Sequence, residues 1–468
     1  MGQMIQNVKY VYEAGRISAI ELVTIIVQKL PLPLLEEYAH LIFFPFVLQL
    51  VNDDSKKCKE AIATGITSLL KRISIERLQS FYEYIARWFS GGDACAQEPL
   101  QRTAAQLYGI IVDSRIDFVK KSDTASDLVK NLYLVMKEEV KQESYTCLEN
   151  GRWELLYFCL ICFEKLNISD IAPSLSDHDV WELVVSALVH PHPWVQQAAS
   201  RTINAFVISL DPKKIGCAGG NRSLFIATHK GTLYDVARNL CFQMNAAEEE
   251  QNNNLLMLAI KTLSWVVQAM HNFPKLCFKD DAVTSEKPSG SSDNEEVLPS
   301  KDPVLWLFKR LSNIAKNRGQ QRRNGVFKCY AAFATVCERN LLSVYLSTMI
   351  EPLHRVLTEA ENEENSKNQN LASEEITALP AEVMQLLEER CGTETFIKAY
   401  AEVKTQAQEK RVKRKSDINA ETVADPRAAA TRKIKKQEGN KRRRKRRMEE
   451  KKAARGSFQK RKNKINID

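Results

Sequence analysis

LIFFPFVLQLVNDDSKKCKEAIATGITSLLKR, residues 41–72, reads as an apolar helix, a polar turn and a second helix with one apolar stripe. In the second helix Cys58, Ala61, Ile62, Gly65, Ile66, Leu69 and Leu70 recur at i, i+3, i+4, i+7, i+8, i+11 and i+12, which places them on one side of a 3.6-residue helix. Asp53, Asp54 and Ser55 end the first helix and cap the second. The same template fits Leu100, Thr103, Ala104, Leu107, Tyr108, Ile111 and Val112, then Val195, Ala198, Ala199, Thr202, Ile203, Phe206 and Val207. It fits again at Leu255, Leu258, Ala259, Thr262, Leu263, Val266 and Val267, and in shorter form at Val326, Cys329, Tyr330, Phe333, Ala334 and Cys337.

What precedes a stripe carries more than its period. FYEYIARWFS and GGDACAQEP stand before Leu100, and VWELVVSALV and HPHPW before Val195, so an apolar helix and a turn again come first. The first two stripes start 42 residues apart, inside the period of about 40–47 residues of HEAT and armadillo repeats. Ala61, Ala198 and Ala199 are small enough to let a partner helix approach closely. The expected fold is all-α: a HEAT/armadillo-like helical-repeat solenoid with a disordered or helical basic C-terminal tail. An irregular all-α domain is the competing reading, because the later spacings are uneven.

Composition agrees with long helices. Seventeen Gly and 15 Pro in 468 residues are few for a chain that turns often. Eleven cysteines are scattered without the spacing of a disulfide framework, the usage of a reducing compartment. The N-terminal MGQMIQNVKYVYEAG has no basic segment followed by an apolar one, so no secretory signal is expected. The longest apolar runs, Ile42 to Val51 and Leu155 to Phe163, are about half the roughly 20 residues that span a bilayer. A soluble, intracellular chain with no membrane partner is expected. Its first residues are already apolar and helical, without the polar outer face of a capping repeat, which reads as the C-terminal piece of a longer solenoid.

The expected domains are a solenoid at 1–357, a polar linker at 358–380, a short helical segment at 381–407 and a basic tail at 408–468. Within the solenoid DDAVTSEKPSGSSDNEEVLPSK, 280–301, is acidic and rich in turn residues, which predicts a disordered loop.

No residue set asks for catalysis, a cofactor, a metal or a small-molecule substrate. GCAGGNRS, Gly216 to Ser223, lacks the G-K-[ST] ending of a phosphate-binding loop and follows no strand, so a loop between repeats is the better reading. Cys159 and Cys162 sit inside the apolar WELLYFCLICFEKL with no second Cys or His pair at zinc spacing, which makes them core thiols. The prolines of HPHPW fix a turn and leave His190 and His192 at exposed turn positions. A kinase with a helical stalk is disfavoured, since no Gly-rich loop, H-R-D or D-F-G set is present.

Charge separates the chain into two parts. Lys404 to Asp468 holds 25 Lys and Arg against 8 Asp and Glu, a local charge of +17; positions 1–403 hold 42 and 50, a charge of −8. The candidate RNA-binding or nuclear-localisation residues are Lys410, Arg411, Lys413, Arg414 and Lys415 in KRVKRK, and Arg432, Lys433, Lys435 and Lys436 in RKIKK. Lys441, Arg442, Arg443, Arg444, Lys445, Arg446 and Arg447 follow in KRRRKRR, with EEKKAAR and QKRKNK beyond. Seven consecutive cations repel one another and call for a polyanion. One cluster suffices for nuclear import; five over about 55 residues point in addition to phosphate neutralisation with counterion release. Apart from Phe458 no aromatic is interleaved, so base stacking is not expected.

The runs ELVTIIVQKLPLPLLEEYAHLIFFPFVLQLVNDDSKKCKEAIATGITSLLKRIS, PLQRTAAQLYGIIVDSRIDF, GRWELLYFCLICFEKL and VWELVVSALVHPHPWVQQAASRTINAF resemble the C-terminal region of the large HEAT-repeat U3 small nucleolar RNA-associated protein family, also called the down-regulated-in-metastasis family. The NDDS turn followed by CK, and HPHPWV followed by AAS, carry most of that resemblance, which covers about residues 20–355; the tail is similar in character rather than in letters. Members of the family are far longer than this chain. The resemblance therefore implies a C-terminal fragment, a truncated gene model or a separately encoded segment. It also implies a nuclear, nucleolar scaffold of the small-subunit processome, with pre-ribosomal RNA, the snoRNA-containing particle and processome proteins as partners and no catalytic residues to carry over. The alternative is a HEAT-repeat nuclear transport receptor or adaptor, which the acidic body permits and the polybasic tail argues against.

Overall fold

A computed structural model describes residues 2–90, 98–141, 152–168, 178–215, 226, 229–246, 253–278, 302–317, 319–364, 372–427 and 430–448, the last without 436, 443, 446 and 447. Among these there is no strand. The helices are α1 (Gly2–Asn7), α2 (Glu13–Lys29), α3 (Leu32–Asn52), α4 (Lys56–Arg72), α5 (Ile75–Ser90), α6 (Glu98–Ser114), α7 (Ile116–Val119), α8 (Ser122–Lys141) and α9 (Trp153–Ile168). They continue as α10 (His178–Ala187), α11 (Pro193–Ile208), α12 (Thr232–Ala246), α13 (Asn253–Asn272), α14 (Pro303–Lys316), α15 (Gln320–Val336), α16 (Arg339–Glu364), α17 (Ala372–Cys391) and α18 (Thr393–Ala424). The chain divides into two compact units, Met1–Thr393 and Glu394–Asp468.

In the first unit α2, α4, α6, α9, α11, α13, α15 and α17 form one row, each lying against the next. The helix before each of them, α1, α3, α5, α8, α10, α12, α14 and α16, packs on it from the other side. This is a HEAT/armadillo-like stack of helix pairs, and the apolar stripes explain it. An inner helix needs burial on more than one side, and the doubled i, i+3/i+4 pattern supplies a broad apolar face. All seven template positions of α11 are buried, and so are six of the seven in α4, where Ala61 is half-buried. Phe43 of α3 and Phe81 of α5 stack with ring centroids 4.1 Å apart, which joins consecutive outer helices. Gly65 lies where α4 crosses both α2 and α3: a Cβ there would come within 2.5 Å of the Phe46 ring and 2.8 Å of Thr24 Oγ1.

The stack is also tied from pair to pair through helix ends. The last carbonyls of a helix have no partner within it and carry its negative dipole end. Here a cation of the next pair takes them. Arg72 donates to Val27 O and Leu30 O at the end of α2, and Arg115 to Leu70 O (3.1 Å) and Ile73 O (2.8 Å) at the end of α4. Arg390 reaches Thr335 O at the end of α15, while Lys165 binds α6 further in, at Gly109 O and Asp113. Buried polar side chains add further ties: Thr202 to Leu160 O, Asn204 to Thr262, and Gln243 to Leu188 O.

The boundary expected at 357 falls inside α16, which runs on to Glu364, and 372–380, expected as linker, opens α17. α17 packs on α15 and α16, and Val383 and Leu387 are buried, so packed helix pairs continue to Cys391. There Gly392, with φ 86°, sits just after the last helical residue, the position where a left-handed residue ends helices. The loop expected at 280–301 lies outside the described residues. Helix α3 is long and apolar enough to cross a membrane by length and composition, although no uninterrupted apolar run in it reaches spanning length; in this structure it packs against α4.

Candidate nucleic-acid interface

Helix α18 starts with apolar contacts and ends without them. Phe396 and Val403 are buried, and Phe396 and Tyr400 stack at 6.2 Å. From Lys404 onward every α18 side chain that is described is exposed, including Lys410, Arg411, Lys413, Arg414 and Lys415. Helix-forming residues are dense in this stretch, so the segment is helical without a buried face. Asp425 and Pro426 interrupt it: Asp425 accepts from Arg427 N at 3.1 Å, and proline suits the first turn of a new helix. Residues 430–435 and 437–442 are again helical, with Arg432, Lys433, Lys435, Lys441 and Arg442 exposed; Arg444 and Lys445 are exposed as well. Lys436, Arg443, Arg446 and Arg447 lie outside the described residues, as does everything from 449 onward. Lys404, absent from the sequence-derived candidates, is exposed on the same helix as the first cluster.

Several cations of the body hold helices together. Arg16 and the buried Asp53 pair at 2.8 Å, and Asp53 also accepts from Gln49 (2.7 Å) and Ser55 N (2.8 Å). Burial alone would raise the Asp53 pKa, but these bonds outweigh it and hold the carboxyl below its ordinary value. Arg77 pairs with Glu36, Arg201 with Glu164, and Arg323 with Glu359. These groups are structural, holding helices together. The tail cations are presented to solvent in a dense array, and a dense array of exposed Lys and Arg is suited to neutralising phosphates.

Other candidate chemistry resolves into packing. Cys159 and Cys162 are buried, and burial raises both thiols, Cys162 to about 12, which removes the thiolate that reactivity and ligation need. Among the described residues no group of three or more His, Cys, Asp or Glu is placed to hold a metal. The glycine cluster at 216–223 lies outside the described residues. His190 and His192 are half-buried rather than exposed. His192 stacks on Trp153 at 3.6 Å and accepts from Trp194 N as the cap of α11, and its own N–H donates to His190 Nδ1 at 3.0 Å. Burial, with the neighbouring His192 adding to it, lowers His190 to about 4. The stacking was not legible in sequence, because Trp153 is distant along the chain.

Residues 292–450 match the family described as small subunit processome component 20 homolog, C-terminal, a span that includes 410–415, 432–436 and 441–447. U3 small nucleolar RNA-associated protein 20 of Saccharomyces cerevisiae is 22% identical over 442 residues, covering 92% of this chain and 16% of that protein. The protein of the same name from Schizosaccharomyces pombe is 25% identical over 437 residues, covering 91% and 16%. The chain thus spans 16% of the length of these curated relatives. Among solved structures, a designed armadillo repeat protein in complex with the peptide (KR)4 aligns with 57% of this chain and 98% of its own, at 13% identity and a TM-score of 0.31. The karyopherin Kap121p, bound to the extreme C-terminus of the protein phosphatase Cdc14p, aligns with 86% of this chain and 39% of its own, at 12% identity and a TM-score of 0.39. By sequence, from its helix pairs into its basic tail, the chain resembles the C-terminal region of the U3 small nucleolar RNA-associated protein 20 family.

Proposed function

We propose that this chain is a non-catalytic architectural segment of the small-subunit processome, acting in the nucleolus in small-subunit ribosomal RNA maturation. The stacked helix pairs offer a long side surface on which processome proteins can be held in fixed geometry. The tail at 408–468 contacts pre-ribosomal RNA, or the snoRNA within the particle, through phosphates, and also serves as a nuclear address. The observation that carries the reading is that the family match at 292–450 takes in exposed basic clusters no fold requirement explains. Phosphate contact of this kind gives salt-sensitive affinity without sequence preference.

A replacement experiment tests it. In cells depleted of the endogenous protein, its re-expression should restore small-subunit rRNA processing. The same protein with 408–468 exchanged for an unrelated nuclear signal should enter the nucleus and fail to restore it fully. Full rescue by the exchange would remove the RNA contact from the account, and normal processing after complete depletion would remove the scaffold role.

A further inference from the structure

We propose that one side of α18, carrying Lys404, Arg411, Arg414 and Lys415, is the face that lies along the backbone of an RNA duplex, and that Lys413, in the middle of the same cluster, makes no phosphate contact. The inference rests on the reading of the tail given above and goes on to assign individual residues.

At about 100° per residue these four cations fall within about 100° of arc, and at 1.5 Å per residue they extend over about 16 Å of axis. All four are exposed. On the same arc between Lys404 and Lys415 there is no carboxylate, since Glu409 projects from the other side. That other side carries Glu394, Lys398 and Glu402, then Glu409, Lys413 and Asp417, all exposed. Each lysine there has a carboxylate four residues before it and four after it, the spacing at which opposite charges meet on a helix surface. Lys398 and Lys413 therefore belong to a mixed-charge stripe with more acid than base, whereas the opposite arc is purely cationic. Lys410 lies at the margin between the two.

The later clusters lack this division. Arg432, Lys433 and Lys435 point in three different directions around their helix, and Lys441 and Arg442 diverge by about 100°. They suit contact in any orientation, while the α18 face fixes one. A row of cations along one side of a helix matches phosphates that are themselves held at fixed spacing, as in an A-form duplex, which is recognised chiefly through its backbone. Single strands are gripped by stacking on aromatic side chains, and between Lys404 and Ala424 there are none.

The test uses the full chain and a 20-base-pair RNA duplex of arbitrary sequence, with affinity measured from low to moderate salt. Arg411→Gln, Arg414→Gln and Lys415→Gln should each flatten the log–log salt dependence by about 0.9, taking the value per phosphate contact on duplex DNA. Lys413→Gln should leave the slope unchanged, and Glu409→Lys, which adds a cation to the mixed-charge side, should leave it unchanged too. All five positions are exposed, so the fold is not at stake. Equal flattening by Lys413→Gln and Arg414→Gln would overturn the assignment of the face, and tighter binding of single-stranded poly(A) than of the duplex would overturn the occupant. Deletion from Lys410 onward distinguishes the levels: an unchanged slope would sink the tail reading itself, whereas a collapsed slope with equal Lys413 and Arg414 variants would sink only the face.

Discussion

Gly65→Ala probes how closely the inner row is packed. Alanine would add about 1 kcal/mol of helix propensity at this mid-helix position. Its Cβ would, however, stand 2.5 Å from the Phe46 ring and 2.8 Å from Thr24 Oγ1, on two different helices, both side chains being buried. Neither neighbour can retreat without moving a packed helix, and such overpacking costs about 1–3 kcal/mol. With the contact bad on two sides, the upper part of that range applies, and the net effect is a loss of about 1–2 kcal/mol. Gly109→Ala is the control. Its Cβ would meet only Lys165, with Nζ at 3.5 Å, so the gain of propensity should remain and the variant should be more stable by up to about 1 kcal/mol. Guanidinium unfolding followed by circular dichroism measures the difference, and amide exchange within α4 and α6 localises it, because repeat arrays need not unfold in one step. A Gly65→Ala chain as stable as the parent, or a Gly109→Ala chain less stable than Gly65→Ala, would refute the packing argument.

Arg115→Ala should destabilise by about 1–3 kcal/mol, since it strips two carbonyls at the end of α4 of a charged donor; Arg115→Lys should lie between, and thermal unfolding with exchange at the end of α4 checks both. Stability should also fall on acidification in two windows. The unfolded chain takes up a proton at His190 near its ordinary value of 6.5 and the folded chain only at about 4, so stability present above the first value is lost progressively down to the second. Asp53 is held below its ordinary 3.8 in the folded state, so its contribution is lost only at lower pH. His190→Gln should flatten the first window and leave the second, read as denaturation midpoint against pH.

The sequence revealed the inner helices whose two faces differ and concealed those whose faces do not. α4, α11 and α13 carry apolar stripes against a polar remainder. By contrast α9, with Leu155, Cys159, Cys162 and Phe163 buried, is apolar nearly all round, so its place in the inner row showed only as an apolar helix. The ties at helix ends were illegible, because Arg72 and Arg115 look like ordinary cations at helix ends until the carbonyls of the preceding pair are seen beside them. The continuation to Cys391 was missed because the polar residues 359–375 masked α17, although the Cys-Gly-Thr at 391–393 marks a helix stop and a new start. For the tail, sequence located the cations but not their directions; only a continuous helix through Ala424 separates Arg414 from Lys413.

If the tail holds RNA through its phosphates, the salt dependence of RNA affinity should differ between the full chain and a chain ending before Lys410. Truncation should weaken binding to unrelated RNA sequences alike and flatten the log–log slope, by about 0.9 per lost contact on duplex and about 0.7 on single strands, values set by DNA. Equal affinities and equal slopes for the two chains would show that the tail does not hold RNA in this way.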